Sequence, residues 1–398
     1  MPPLDPFATQ SIILDSKSNV EDFLEHDQHK LNAIPTKETV PSILEIKKNI
    51  PKKFFAPSLL QSFKYVAWDL CVITLIFAAY HWLDSLAFIP SPLKNLVLFV
   101  YAFFQGTMFW AIFVLGHDCG HGSFSRYPWV NDTVGTFLHS LILVPYTTWK
   151  LSHRHHHKNT GNIDKDEVFY PLRESEALKM TGNESKGTNL APYFAFGIGW
   201  LIYLIEGYGT RATSHVNPFH PLFKNNRAGA FTSIICVIIG LCFLYYASTI
   251  YGAWNILRYY FLPWIIFSSW LVITTFLHHH GVEENLNLPW FSDDKWSYVL
   301  GNLSSVDRDY GFLHDVTHSI GTHQIHHLFP AIPHYYLKEA TVAFRAHYPK
   351  YVQESNEPIL RTFLNTFNVF KSQYIISDNT KVFLYNDSKK LSRSTKLE

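Results

Sequence analysis

Three short histidine clusters hold the residues whose type and spacing could do chemistry. They are His117-Asp118-Cys119-Gly120-His121, His153-Arg154-His155-His156-His157 and His323-Gln324-Ile325-His326-His327. The patterns are HxxxH, HxxHH and HxxHH. On a helix, residues three and four apart share a face. His117 and His121 can therefore point at one ion, and His153 can join His156 and His157, as His323 can join His326 and His327. Eight imidazoles exceed what a single ion needs. Shared between two ions they give about four each, with room left for oxygen or water.

Neutral imidazole suits zinc, copper, iron and nickel. A histidine-only site with open positions, set against a membrane, fits oxygen-activating iron. Soluble di-iron bundles pair Glu-x-x-His motifs on facing helices, and this chain has no such motif. HExxH is also absent, which counts against a metalloprotease. His278, His279 and His280 form a further run, from which His279 is the choice for a ninth ligand. His318, five residues before the third cluster, is a candidate ligand or supporting residue. His155 stands at a non-pattern position. Ligating imidazoles need partners for their second nitrogen, and Asp118, Asp307, Asp309 and Asp315 are the candidates.

The elements that must position these clusters are apolar. Four stretches, about 65–83, 95–116, 228–250 and 259–277, approach the roughly 20 residues that cross a bilayer. Asp69 lies in the first, where a charge is costly at mid-bilayer but tolerable near an interface. Two shorter apolar stretches, 133–145 and 190–206, read as interfacial or re-entrant helices. Lys and Arg concentrate in the N-terminal region, the 117–227 loop and the C-terminal region. The positive-inside rule places all three, and with them the histidines, in the cytosol. Ser42 and Glu45 have capping-box spacing for a short helix over 41–48.

The expected fold is all-α: an integral membrane bundle of four transmembrane helices under a cytosolic helical cap that carries a histidine di-metal site. The expected organisation is an N-terminal tail over 1–62, a membrane body over 63–350 and a C-terminal tail over 351–398, its end from 379 too polar to build a core. Only 16% of residues are charged and 16% are aromatic, against about a quarter charged in soluble domains. The net charge of +1 gives no bulk attraction to nucleic acid. The four cysteines form no disulfide or zinc pattern, and the N-terminus lacks the pattern of a cleavable signal peptide. A metal transporter would want ionisable residues near mid-span, whereas these histidines sit at span ends and in loops. Aromatic residues of the spans (Phe103, Phe104, Phe109, Trp110, Tyr259, Tyr260, Phe261) are candidates to line an acyl-sized tunnel. Lys52, Lys53, Lys150 and Arg154 are candidates for a basic surface that meets anionic headgroups or an acidic partner.

The clusters and their flanks resemble the membrane fatty acid desaturases, in particular the plant and fungal delta-12/omega-3 group and most of all the fungal omega-3 (delta-15) branch. The stretches that carry the resemblance are GHDCGHGSFS (116–125), LSHRHHHKNTGNIDKDEVFYP (151–171), FLHHHG (276–281), VDRDYGFLHDVTH (306–318) and GTHQIHHLFPAIPHYYLKEAT (321–341). It covers about 60–380. His155 departs from the group, which more often has a small polar residue there. The resemblance implies an O2-dependent oxidoreductase of the endoplasmic reticulum membrane, multi-pass, with active site and both termini cytosolic. It implies two non-haem iron ions held by His117, His121, His153, His156, His157, His279, His323, His326 and His327. It implies O2 as co-substrate and a fatty-acyl lipid as substrate. No HPGG haem motif occurs in the chain, so the implied electron donors are a separate cytochrome b5 and its reductase. Asp118 and FLHHHG favour omega-3 desaturation of linoleoyl-type chains; delta-12 (oleate) desaturation or acyl hydroxylation is the alternative.

Overall fold

The computed structural model describes residues 34–181 and 197–386. The stretch 182–196, with the first part of the expected 190–206 helix, and the polar end beyond 386 lie outside the described residues.

The described chain is mostly helical, with four helices long and apolar enough to cross a membrane: Leu59–Ser85, Ser91–His121, Pro221–Tyr251 and Ala253–His279. Each outruns its apolar stretch at both ends. The first starts where Ser58 Oγ accepts from the Gln61 amide. The second continues through His117 and His121 until Gly122, at φ 78°, caps it in the left-handed region, where glycine has no steric penalty. The first histidine cluster is thus the last turn of the second span rather than a loop after it. The fourth span begins with one α-helical turn, Ala253–Ile256, followed by a π-helical segment, Leu257–Phe261. It then runs as α-helix from Leu262 to His279.

The second and fourth spans form the centre and the other two flank them. The most apolar windows of the second and fourth are 67% and 50% buried, against 17% and 11% for the first and third. The flanking pair shows Trp68, Leu75 and Trp82, and Phe243 and Tyr245, to the outside, as lipid-facing surfaces do. Close packing at the centre depends on Gly106, where a Cβ would meet the Pro263 carbonyl and come within 2.6 Å of Ile266 Cβ. Small residues serve this purpose between membrane helices.

Short helices make the cap: Pro128–Leu141, Tyr146–Asn159, Ile198–Glu206, Tyr298–Leu303, His323–Leu328, Leu337–His347 and Ile359–Gln373. Pro128–Leu141 leaves Trp129 and Phe137 exposed, and Ile198–Glu206 leaves Ile198, Leu201 and Ile205 exposed, the one-sided apolar face of an interfacial helix. Three two-residue strand pairs staple distant segments. Leu172–Arg173 runs parallel to Ile375–Ile376, and Asp307–Arg308 runs parallel to Glu354–Ser355. Trp290–Phe291 pairs antiparallel with Val382–Phe383.

Both expected tails contribute packed residues where the structure describes them. Ile43–Lys48 forms with its reciprocal Ser42–Glu45 capping box, and Ile46 is buried among Val299, Ile325 and Phe344. Ile359–Gln373 sinks Phe363, Phe367 and Phe370 against Phe276 at the end of the fourth span. The apolar residues at three- and four-residue spacing give this helix a core face, so the segment from 351 to 386 belongs to the body.

Candidate metal centre

The last turn of the second span brings His117 and His121 to the cap, and the helix Tyr146–Asn159 lays its own histidines across them. His117, His121, His153, His157 and His326 each offer one nitrogen, all within 4.8 Å of one another, and His156, His279 and His327 form a second such group. His323 Nε2 lies 3.2 Å from His279 Nε2, which joins it to the second group. The groups adjoin, with the rings of His157 and His327 stacked at 4.0 Å.

All nine sequence-derived candidates therefore converge, but not cluster by cluster. His153 and His157 enter the first group while His156 enters the second. His326 and His327 part in the same way. Adjacent helical residues point about 100° apart, so each HxxHH cluster straddles two positions instead of facing one.

The residues fit metal ions. His156 Nε2 stands 3.1 Å from His279 Nε2, and His153 Nε2 stands 3.1 Å from His157 Nε2. His279 Nε2 meets two such nitrogens and has at most one proton to give, so lone pairs converge. His121 Nε2, His326 Nε2 and His327 Nε2 are buried with no hydrogen-bond partner, a costly state that a bound cation relieves. Burial, followed by the neighbouring imidazoles, holds His153, His157, His323, His326 and His327 well below the ordinary histidine pKa. They are thus in the neutral form that ligates.

Partners for the outer nitrogens come mainly from positions that sequence reasoning missed. His156 Nδ1 meets Asp166 Oδ1 at 2.8 Å. His327 Nδ1 meets Asn302 Oδ1 at 3.0 Å and Thr160 Oγ1 at 3.1 Å. Asp118 does face His117, its Oδ1 3.6 Å from Nδ1. Asp307 instead accepts from the Gln324 amide and Arg345, Asp309 from the Gly311 amide, and Asp315 pairs with Lys338.

The remaining histidines have other partners. His278 is engaged by the Val306 carbonyl and Tyr310 hydroxyl, and His280 by the Phe276 and Phe169 carbonyls. His318 Nε2 lies 2.7 Å from Asp69 Oδ2, away from both groups. His155 is half-buried beside Glu167, 3.2 Å away.

An apolar cleft leads to the histidines. It encloses about 980 Å³, its open mouth included, between Trp110, Trp149, Trp200, Tyr208 and Leu271 on its walls and His117, His153, His156, His279 and His323. Of the expected tunnel aromatics only Trp110 lines it. Tyr259 packs on Tyr80 and Tyr101 at the opposite end of the spans; Phe109 packs on Tyr260, and Phe104 is exposed. The cleft opens beside the cap, so cap residues supply much of its wall. Lys150 is likewise buried against Asp132 and over the Tyr146 ring rather than part of a free basic surface.

Converging imidazoles at the end of an apolar cleft, beneath a bundle of membrane-length helices, define a membrane protein with a histidine-lined metal centre. The fatty acid desaturase family matches residues 94–357, and the chain belongs to that family; it is an oxidoreductase. It is similar to the omega-3 fatty acid desaturase of the endoplasmic reticulum from Nicotiana tabacum, 40% identical over 357 residues, covering 88% of this chain and 90% of that one. It is 39% identical over 360 residues to the acyl-lipid omega-3 desaturase (cytochrome b5) of the endoplasmic reticulum from Arabidopsis thaliana, covering 89% of each. It is 38% identical over 346 residues to an sn-1 acyl-lipid omega-3 desaturase (ferredoxin) from Nostoc, covering 87% of this chain and 91% of that one.

Proposed function

We propose that this chain is an omega-3 (delta-15) desaturase that places a cis double bond in linoleoyl-type acyl lipids, using O2 and two electrons. The observation that carries the reading is the convergence of nine imidazoles, seven buried and two partly buried, at the end of an apolar cleft. The omega-3 assignment rests on relatives of that name over most of the chain. Their names divide between cytochrome b5 and ferredoxin as donor. The chain carries no HPGG motif, and the endoplasmic reticulum relatives favour cytochrome b5 with its reductase. The site then lies in the cytosol with both termini, at the endoplasmic reticulum membrane.

His117, His121, His153, His157 and His326 would hold one iron, and His156, His279, His323 and His327 the other. Bound there, the irons supply the oxygen chemistry that removes two hydrogens from an unactivated chain. The protein does the rest. Trp110, Trp149 and Leu271 give the acyl chain an apolar wall beside the imidazoles. Thr274 and Thr275 line the same cleft with their hydroxyls spent on the Trp270 and Leu271 carbonyls. Those two hydroxyls therefore add little polarity to a largely apolar wall, whose shape positions an acyl methylene against the centre.

The test is expression in a yeast that makes only monounsaturated fatty acids, fed linoleic acid, with His326→Ala as control and fatty acids profiled by gas chromatography–mass spectrometry. New alpha-linolenic acid, lost in the control, is the expected result. Linoleic acid formed without feeding would replace the reading with delta-12 desaturation. Neither product from iron-loaded membrane protein would overturn both.

A further inference from the structure

The two buried carboxylates of the described spans meet imidazoles that flank the third histidine cluster. Asp69, in the middle of the first span, has its Oδ2 2.7 Å from His318 Nε2. Asp118, on the last turn of the second span, accepts through Oδ2 from the His334 backbone amide at 3.1 Å and from His334 Nδ1 at 3.0 Å. All four side chains are buried. The His318 and His334 rings lie 4.7 Å apart, and the Tyr65 ring of the first span packs edge-on against both, at 5.4 and 4.5 Å. Among the described residues neither carboxylate pairs with a Lys or Arg, so the imidazoles are what these two acids meet.

The helix between these two imidazoles, His323–Leu328, has six residues. A helix that short does not hold its own shape, yet it presents one histidine to the first group and two to the second. The segment before it is also bent against its preference, with His318 at φ 55° and Ser319 at φ 57°, a conformation that persists only where surrounding contacts impose it. The other oxygen of Asp118 lies 3.6 Å from His117 Nδ1, so the same carboxylate stands beside a residue of the first histidine group.

We infer that His318 and His334 are positioning residues that pin the third histidine cluster to the first and second spans, through Asp69 and Asp118, and thereby set the geometry of both metal positions. The inference rests on the metal-centre reading above. Neither imidazole is a ligand; each acts through its carboxylate, and their loss changes how a metal is held before any substrate is present.

The experiment uses the full chain purified in detergent, stripped with a chelator and titrated with Co(II), whose visible absorption reports the ligand geometry. His318→Ala and His334→Ala are expected to weaken Co(II) binding at least tenfold, within the 10–100-fold range typical of outer partners, and to alter the absorption band. An amide can replace one imidazole nitrogen by position: Asn for Nδ1 and Gln for Nε2. His334→Asn and His318→Gln are therefore expected to restore binding and band, and His334→Gln and His318→Asn are not. Alanine variants that match the wild type would overturn the inference. So would matched and mismatched amides that behave alike, a comparison that decides the matter if the alanine variants fail to fold. Wild-type protein that takes up no Co(II) would overturn the metal reading and the inference with it, whereas normal uptake with indifferent variants overturns the inference alone.

Discussion

His156 turns its Nδ1 onto Asp166, 2.8 Å from Oδ1, and the carboxylate that receives it is fully buried. The same carboxylate accepts the amides of Gly161, Glu167 and Val168. It is therefore fixed by the loop before it fixes the ring, and it sets the tautomer that leaves His156 Nε2 facing His279. Asp166→Asn should lower iron affinity about 10–100-fold while the helical circular-dichroism spectrum stays unchanged. Metal analysis of protein purified from iron-replete cells checks this, and full iron loading in the variant would count against the assignment.

Arg308 performs the matching service for His279. It bonds the Leu277 carbonyl at 2.8 Å and the His280 carbonyl at 3.1 Å, either side of that residue, and Glu283 at 2.7 Å. Burial pushes the Glu283 carboxyl up, but the Arg308 charge and the hydrogen bonds from Arg308 and Ser355 outweigh it and hold the pKa below the usual glutamate value. A depressed carboxyl pKa contributes stability that is present above the unfolded value of about 4.3 and lost as pH falls through the folded one. The unfolding temperature in detergent should therefore fall on acidification below about pH 4, and Glu283→Gln should flatten that fall. Arg308→Met, which strands the carboxylate, should cost about 3–5 kcal/mol near neutral pH. An Arg308→Met protein as stable as the wild type would show that the pair does not hold this turn.

What was legible in the sequence was whatever acts over one or two helical turns. The three clusters, the four apolar stretches and the Ser42–Glu45 cap are all local patterns, and each formed. What was not legible depends on chain returning from a distance. Asp166 lies ten residues beyond His156 in a loop, Asn302 reaches His327 from another helix, and nothing in their spacing marks them. Asp69 looked like a tolerated interfacial charge because its partner, His318, lies far along the chain. The division of His156 from His157 was within reach, since neighbours on a helix diverge by about 100°, but which group each joins depends on how the helices cross.

Gly106 tests the close contact of the two central spans. Its missing side chain lets the Pro263 carbonyl and Ile266 approach, on the two spans that carry His117 and His279. Overfilling a packed contact costs about 1–3 kcal/mol. Gly106→Ala should therefore lower the unfolding temperature in detergent and reduce iron content together. Unchanged stability would mean that the spans slide apart without penalty.

The cleft can be tested apart from the metal centre through two neighbours on one helix. Ile202 lines the cleft and Leu201 does not, yet both are partly exposed on the helix Ile198–Glu206, so neither change should cost much stability. A tryptophan at 202 adds bulk at the cleft wall, whereas one at 201 adds it to the outer face. Ile202→Trp should cut product at least fivefold, about 1 kcal/mol in transition-state terms, with iron content unchanged. Leu201→Trp should leave both unchanged. If both variants desaturate at the wild-type rate, the acyl chain reaches the imidazoles by a path that does not pass Ile202.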